Sequence, residues 1–158
     1  MPSTYEPIAT ATLTATSTSI TISSIPSTYT DLVAIGYFDG IGESYIQAQL
    51  NSDTGNNYDY IYYGGVNATM VYNVVGNINS MPGSRADEEA NYQMHLFNYT
   101  SNLHKTAFIM NANASSPLVY HSVSNWRNTA AVTSISWVAQ QGQYAAGTTI
   151  TIYGIKAA

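Results

Sequence analysis

Alternation of small apolar residues with hydroxyl residues, and the lack of helical periodicity, most limits what this chain can fold into. Ala9, Ala11, Leu13 and Ala15 alternate with Thr10, Thr12, Thr14 and Thr16, and Ile20 and Ile22 alternate with Ser19, Thr21 and Ser23. A period of two puts one set of side chains on each face of an extended strand, as a half-buried strand requires. The same pattern returns at Tyr45–Leu50, where Ile46, Ala48 and Leu50 oppose Gln47 and Gln49, and at 58–63, where Tyr58, Tyr60 and Tyr62 oppose Ile61 and Tyr63. Leu32–Phe38 is apolar at almost every position and is expected to be a central strand covered on both faces.

Further strands are expected near Tyr92–Tyr99, Lys105–Asn111, Leu118–Trp126, Val132–Ala139 and Thr148–Ile155, with Met70, Tyr72 and Val74 forming another. Turn chemistry separates them: Ile25-Pro26-Ser27-Thr28, Asp39-Gly40-Ile41-Gly42, the loop 51–57, Thr100-Ser101-Asn102, 113–117, Asn128-Thr129 and Gln140-Gln141-Gly142. Residues 76–90 collect Gly, Asn, Pro82 and the acidic run Asp87-Glu88-Glu89, and read as an exposed loop. About ten short strands at this spacing predict an all-β, antiparallel β-sandwich, jelly-roll-like in arrangement. Its 158 residues are expected to form one domain, 1–158, with residues 1–8 as an extended N-terminal arm.

Charge then narrows the function. Four Lys and Arg stand against nine Asp and Glu, and only 8% of the residues are charged, where about 25% is usual. Eighteen Thr, 17 Ser and 14 Asn make the surface polar instead. Nucleic-acid binding needs a clustered basic footprint, and an anionic membrane surface needs the same, so neither partner is expected. With no Cys, neither a disulfide nor a thiolate metal site can hold the fold. No apolar run approaches a membrane-spanning helix, and the N-terminus lacks the basic and apolar regions of a secretory signal.

Catalytic patterns are missing too. There is no Gly-x-Ser-x-Gly elbow and no Gly-rich phosphate cradle. His95, His104 and His121 are too dispersed for a local metal motif. Asp53 and Asp59 flank a tyrosine-rich stretch and are the one carboxylate pair that suits glycoside hydrolysis, although both sit where turn acids sit. The segment 53–59 offers oxygen ligands for calcium, but its spacing fits no EF-hand, and Asx-turn bonding accounts for it as well. The chain is therefore read as a non-enzyme, with no catalytic residue, no metal ligand and no cofactor. Tyrosine carries the remaining signal, since its apolar body and polar tip suit interfaces and sugar platforms alike. Tyr5, Tyr58, Tyr60, Tyr62 and Tyr63 are the candidate partner-interface residues.

Several segments carry a resemblance. The opening 1–10 (MPSTYEPIAT), followed by 19–32 (SITISSIPSTYTDL), resembles the start of a family of tailed-phage virion proteins. The loop 50–58 (LNSDTGNNY) is similar to a mid-chain motif of that family, and 126–135 (WRNTAAVTSI) with 145–156 (AAGTTITIYGIK) is similar to its C-terminus. Residues 64–125 contribute nothing specific. The resemblance implies a virion structural protein of the kind found in phages of cyanobacteria and other aquatic bacteria. Small β-sandwich proteins in that setting serve as capsid cement, or decoration, proteins on the major capsid protein, often as homotrimers. Others sit on tails or fibres and bind host surface carbohydrate. Capsid cement on the virion exterior, made in the host cytoplasm, is the expectation carried forward, with a tail-associated carbohydrate-binding module as the alternative. Exposed strand edges and excess aromatics suggest that the chain also binds copies of itself, as a closed cyclic homotrimer.

Overall fold

Among the described residues the alternation resolves into thirteen strands and no helix. Residues 5–66, 69–86, 89–113 and 118–156 are described by the structure, a computed structural model. The strands are β1 (Tyr5–Thr12), β2 (Ser19–Ile22), β3 (Asp31–Ile41), β4 (Tyr45–Leu50), β5 (Tyr58–Val66), β6 (Thr69–Ile78) and β7 (Met81–Arg85). They continue as β8 (Glu89–Leu96), β9 (Lys105–Asn113), β10 (Leu118–Trp126), β11 (Ile135–Ala139), β12 (Gln143–Tyr144) and β13 (Thr149–Ile155). Every pairing is antiparallel. One sheet has nine strands, eight of them in the order β1-β13-β3-β8-β9-β10-β5-β6 with β12 paired to β3, and the other has the order β2-β11-β4-β7.

The two sheets pack face to face as a β-sandwich. Ile20, Ile22, Ile46, Ala48, Leu50, Ile135 and Trp137 come from the smaller sheet and meet Leu32, Ala34, Phe38, Tyr92, Met94, Leu96, Ile150 and Ile152 from the larger. Each set recurs at every second position, so the period seen in the sequence is the period of the core. Phe38 lies edge-on to Tyr92 at 5.5 Å and to Tyr144 at 5.1 Å, and Tyr92 lies edge-on to Trp137 at 6.4 Å. Such pairs add about 0.5–1.5 kcal/mol each beyond the area they bury.

Three expectations need correction. The stretch expected to be a loop over 76–90 contains a strand, β7, whose Met81 is fully buried. Pro82 is tolerated because β7 is an edge strand with a register shift opposite Tyr45 and Gln47. Gly83 suits this close approach, since a methyl would stand 3.0 Å from the Ile46 carbonyl oxygen and 3.3 Å from the Tyr92 ring. Leu32–Phe38 is central, as expected, but only one face is fully covered: Val33 is buried, whereas Ile35 is half exposed. The arm expected at 1–8 is strand from Tyr5 onward, paired with β13 from Tyr5↔Ile155 to Thr12↔Thr149 with a register shift between Pro7 and Ala9, while residues 1–4 lie outside the described residues. Asp87, Glu88 and residues 114–117 also lie outside them.

Candidate interaction surface

The loop 50–58 and the segment 126–135 meet in space. Asn51 adopts a left-handed backbone, with φ 53°, and reaches across to 131–134. Its Nδ2 donates to the Ala131 carbonyl at 2.8 Å, and its Oδ1 accepts from the Thr133 and Ser134 amides at 2.8 and 3.2 Å. Asp53 accepts from the Gly55 amide at 2.8 Å, which is the Asx turn, and from the Trp126 indole N–H at 2.7 Å. The Arg127 amide donates to the Asn57 carbonyl at 2.8 Å. The loop 50–58 and the segment 126–135 therefore form one clasp at an end of the sandwich. Burial alone would raise the Asp53 pKa, but bonds from Trp126, Asn57, Gly55 and Asn128 outweigh it and hold the carboxyl below the ordinary range.

The second carboxylate of the sequence-level pair is likewise engaged. Asp59 Oδ2 lies 3.1 Å from Arg127 Nε, and its Oδ1 accepts from the Asn77 amide at 2.9 Å. The histidines lie apart in the fold. His95 Nε2 contacts Asp31 at 3.1 Å and stacks on Phe97, His121 stacks on Tyr63, and His104 is exposed. Among the described residues no group of three His, Asp or Glu is placed to hold a metal ion.

The five tyrosines do not form one surface. Tyr58 is fully buried: its hydroxyl accepts from the Leu50 amide at 3.0 Å and donates to the Asp53 carbonyl at 3.1 Å, and burial raises its pKa. It is a core residue, withdrawn from any partner. Tyr60 and Tyr62 face inward, half-buried, and stack with Tyr120 beneath the outermost hairpin. These three rings line a notch of about 390 Å³, together with Tyr45, Gln47 and Arg85. Tyr63 faces outward, and Tyr5 is exposed near the opposite edge, at the end of β1.

What the sequence reading missed is the outward face of the large sheet. Registers align Phe108, Val123, Ile61 and Val74 in one row across β9, β10, β5 and β6. Met110, His121, Tyr63 and Tyr72 form the next row, and Ala112, Val119, Gly65 and Met70 the third. None of these residues carries a permanent charge. The large apolar side chains on the first three of these strands are all between 42% and 54% exposed. A contiguous apolar patch beyond a few hundred Å² on a folded chain marks an interaction site. At the other end of the same face, Thr10 meets Thr151 and Thr12 meets Thr149, each pair at 2.8 Å, so that end is polar. The signal was present in the sequence: Phe108 and Met110 interleave with Ala107 and Ile109, making β9 apolar on both faces. That composition belongs to a strand covered on both sides, yet only one side is covered by this chain.

No family model matches this chain, and no curated protein matches it either.

Proposed function

We propose that this chain is a non-enzymatic structural protein of a tailed-phage particle, a capsid cement protein that lays the outward face of its large sheet on the major capsid protein. The observation that carries this reading is the uncharged apolar face across β9, β10, β5 and β6. Interface cores are depleted in charge and enriched in Tyr, Phe and Met, which is the composition of this face. The clasp between 50–58 and 126–135 is in keeping with it, since these segments act here as architecture and carry no catalytic arrangement. Adhesion through such a face is largely insensitive to salt, because screening acts on charges.

A reconstruction of the intact particle tests the proposal. Density for the chain is expected on the capsid exterior, with Phe108, Val123 and Ile61 turned toward the shell. Density confined to the tail would refute it. In a particle-binding assay, Phe108→Lys with Val123→Lys should abolish retention, whereas Thr10→Lys at the polar end should not.

The notch under the outer hairpin favours a second reading, a tail- or fibre-associated module for host surface carbohydrate. Stacked Tyr60, Tyr62 and Tyr120 with the nearby Gln47 amide provide the mixed aromatic and polar lining that sugar rings require. A glycan array without signal counts against it.

A further inference from the structure

The edges of the two sheets are not alike. Edge strands present unpaired backbone groups, and natural proteins blunt them with shortness, charge, proline or bulges. β1 carries Glu6 and Pro7 and a register shift between Pro7 and Ala9. β7 carries Pro82 and Arg85 and lies opposite a shift between Tyr45 and Gln47. β2 is four residues long. β6 has none of these devices over Thr69–Val75, where its pairing with β5 is regular from Val66↔Thr69 to Tyr60↔Val75. This stretch holds no charge and no proline, and it exposes Met70 by 80%, Tyr72 by 81% and Val74 by 66%. Asn73 in its middle is exposed as well. An open edge of this composition is an association site by its physics.

We infer that β6 pairs antiparallel with β6 of a second copy of this chain, about a two-fold axis perpendicular to the sheet, so that the large sheet continues from one copy into the next. A second copy suits the edge for two reasons. An uncharged strand meets its own image without the like-charge repulsion that opposes identical charged strands. The two-fold keeps the apolar outward faces of both copies on the same side, doubling the face described above. The inference stands apart from the capsid reading, since the edge is open whichever surface the outward face meets.

The absence of cysteine makes the test clean, because any disulfide in a single-cysteine variant must join two chains. Tyr72→Cys, Asn73→Cys and Val74→Cys place the thiol at exposed positions, with loss of the Asn73 Oδ1 acceptor of the Val74 amide only in the second. Identical residues lie opposite each other only on the two-fold, and each step along the strand separates them by a further ~6.6 Å. A disulfide tolerates Cα atoms up to about 7 Å apart. Covalent dimer is therefore expected to peak sharply at one of the three positions. Sedimentation of the unmodified full chain should show a dimer that dissociates on dilution, and Val74→Lys should weaken it by about tenfold or more. A monomer at all concentrations overturns the inference. So does an oligomer that forms no crosslink at these positions or withstands Val74→Lys, since its contact then lies elsewhere.

Discussion

Removing the Asp53 carboxylate should loosen the clasp that ties the loop 51–57 to β10. In Asp53→Ala the indole N–H of Trp126, a fully buried side chain, loses its 2.7 Å acceptor. The Gly55 amide and the Asn57 side chain lose theirs as well, at 2.8 and 2.9 Å. A hydrogen bond to a charged group contributes about 1.5–3 kcal/mol, and the more exposed bonds contribute less. Together these give an expected loss of about 2–4 kcal/mol at pH 7, or a shift of roughly 1–2 M in the urea midpoint for a typical slope. Tryptophan fluorescence follows the transition, because Trp126 is itself at the site. The loss should also depend on pH. A carboxyl whose folded pKa is depressed contributes stability above its unfolded value of about 3.9, and that contribution disappears as pH falls through the folded pKa. The gap between native chain and variant should thus be full at pH 6–7 and narrow as the pH drops below about 3.9. Asp53→Asn keeps one acceptor oxygen and should lose less, with a flatter pH dependence. A loss under about 1 kcal/mol at neutral pH, or a gap that is constant with pH, would refute the assignment of Asp53 as the hub.

Other sites give simpler expectations. Tyr99 is buried and its hydroxyl donates to the Pro26 carbonyl, so Tyr99→Phe should cost about 1–1.5 kcal/mol in urea unfolding. Lys105, also buried, donates to the Ser101 and Leu103 carbonyls at 2.7 and 2.5 Å, and Lys105→Met should cost about 1.5–3 kcal/mol and raise amide exchange across 101–104. The Lys156 ammonium beside Glu6, 2.9 Å away, holds the Glu6 carboxyl below its ordinary range, and Tyr29 donates to it as well. That restraint is complete above about pH 4.3 and lost as pH falls through the depressed value, so NMR shifts of β1 amides should move before the core unfolds in acid. The Tyr29 ring lies over Gly154, leaving no space for a methyl, and Gly154→Ala should cost about 1–3 kcal/mol in thermal or urea unfolding.

Most of the sandwich was legible because its strands are half-buried and alternate cleanly, as in Ile46, Ala48 and Leu50. β7 was not, because Met81-Pro82-Gly83 has the chemistry of a turn. Only the tertiary partners, the Ile46 carbonyl and the Tyr92 ring, show that Gly83 is there for close approach. The tyrosines failed for a different reason. Alternation separates Tyr58, Tyr60 and Tyr62 from Ile61 and Tyr63, but it does not say which face meets the second sheet. The second sheet then covers Tyr58 and stops short of fully covering Tyr60 and Tyr62. The apolar outward face was hidden because Phe108 and Met110 look like core residues in one dimension. Only the position of the smaller sheet reveals that this chain leaves them uncovered.

The strand order has a consequence for synthesis. β13 lies between β1 and β3, so β1 finds its neighbour only when β13, about 140 residues later, is complete. Until Thr149–Ile155 has left the ribosome, β1 has no ladder to join and one side of β3 stands open along most of its length. Contacts spanning this much sequence slow folding. A chain cut short before residue 149 would carry a gap beside its central strand and an unpaired first strand, the state in which wrong partners are most easily met. The fold therefore withholds this closure until Thr149–Ile155 is available to fill the gap.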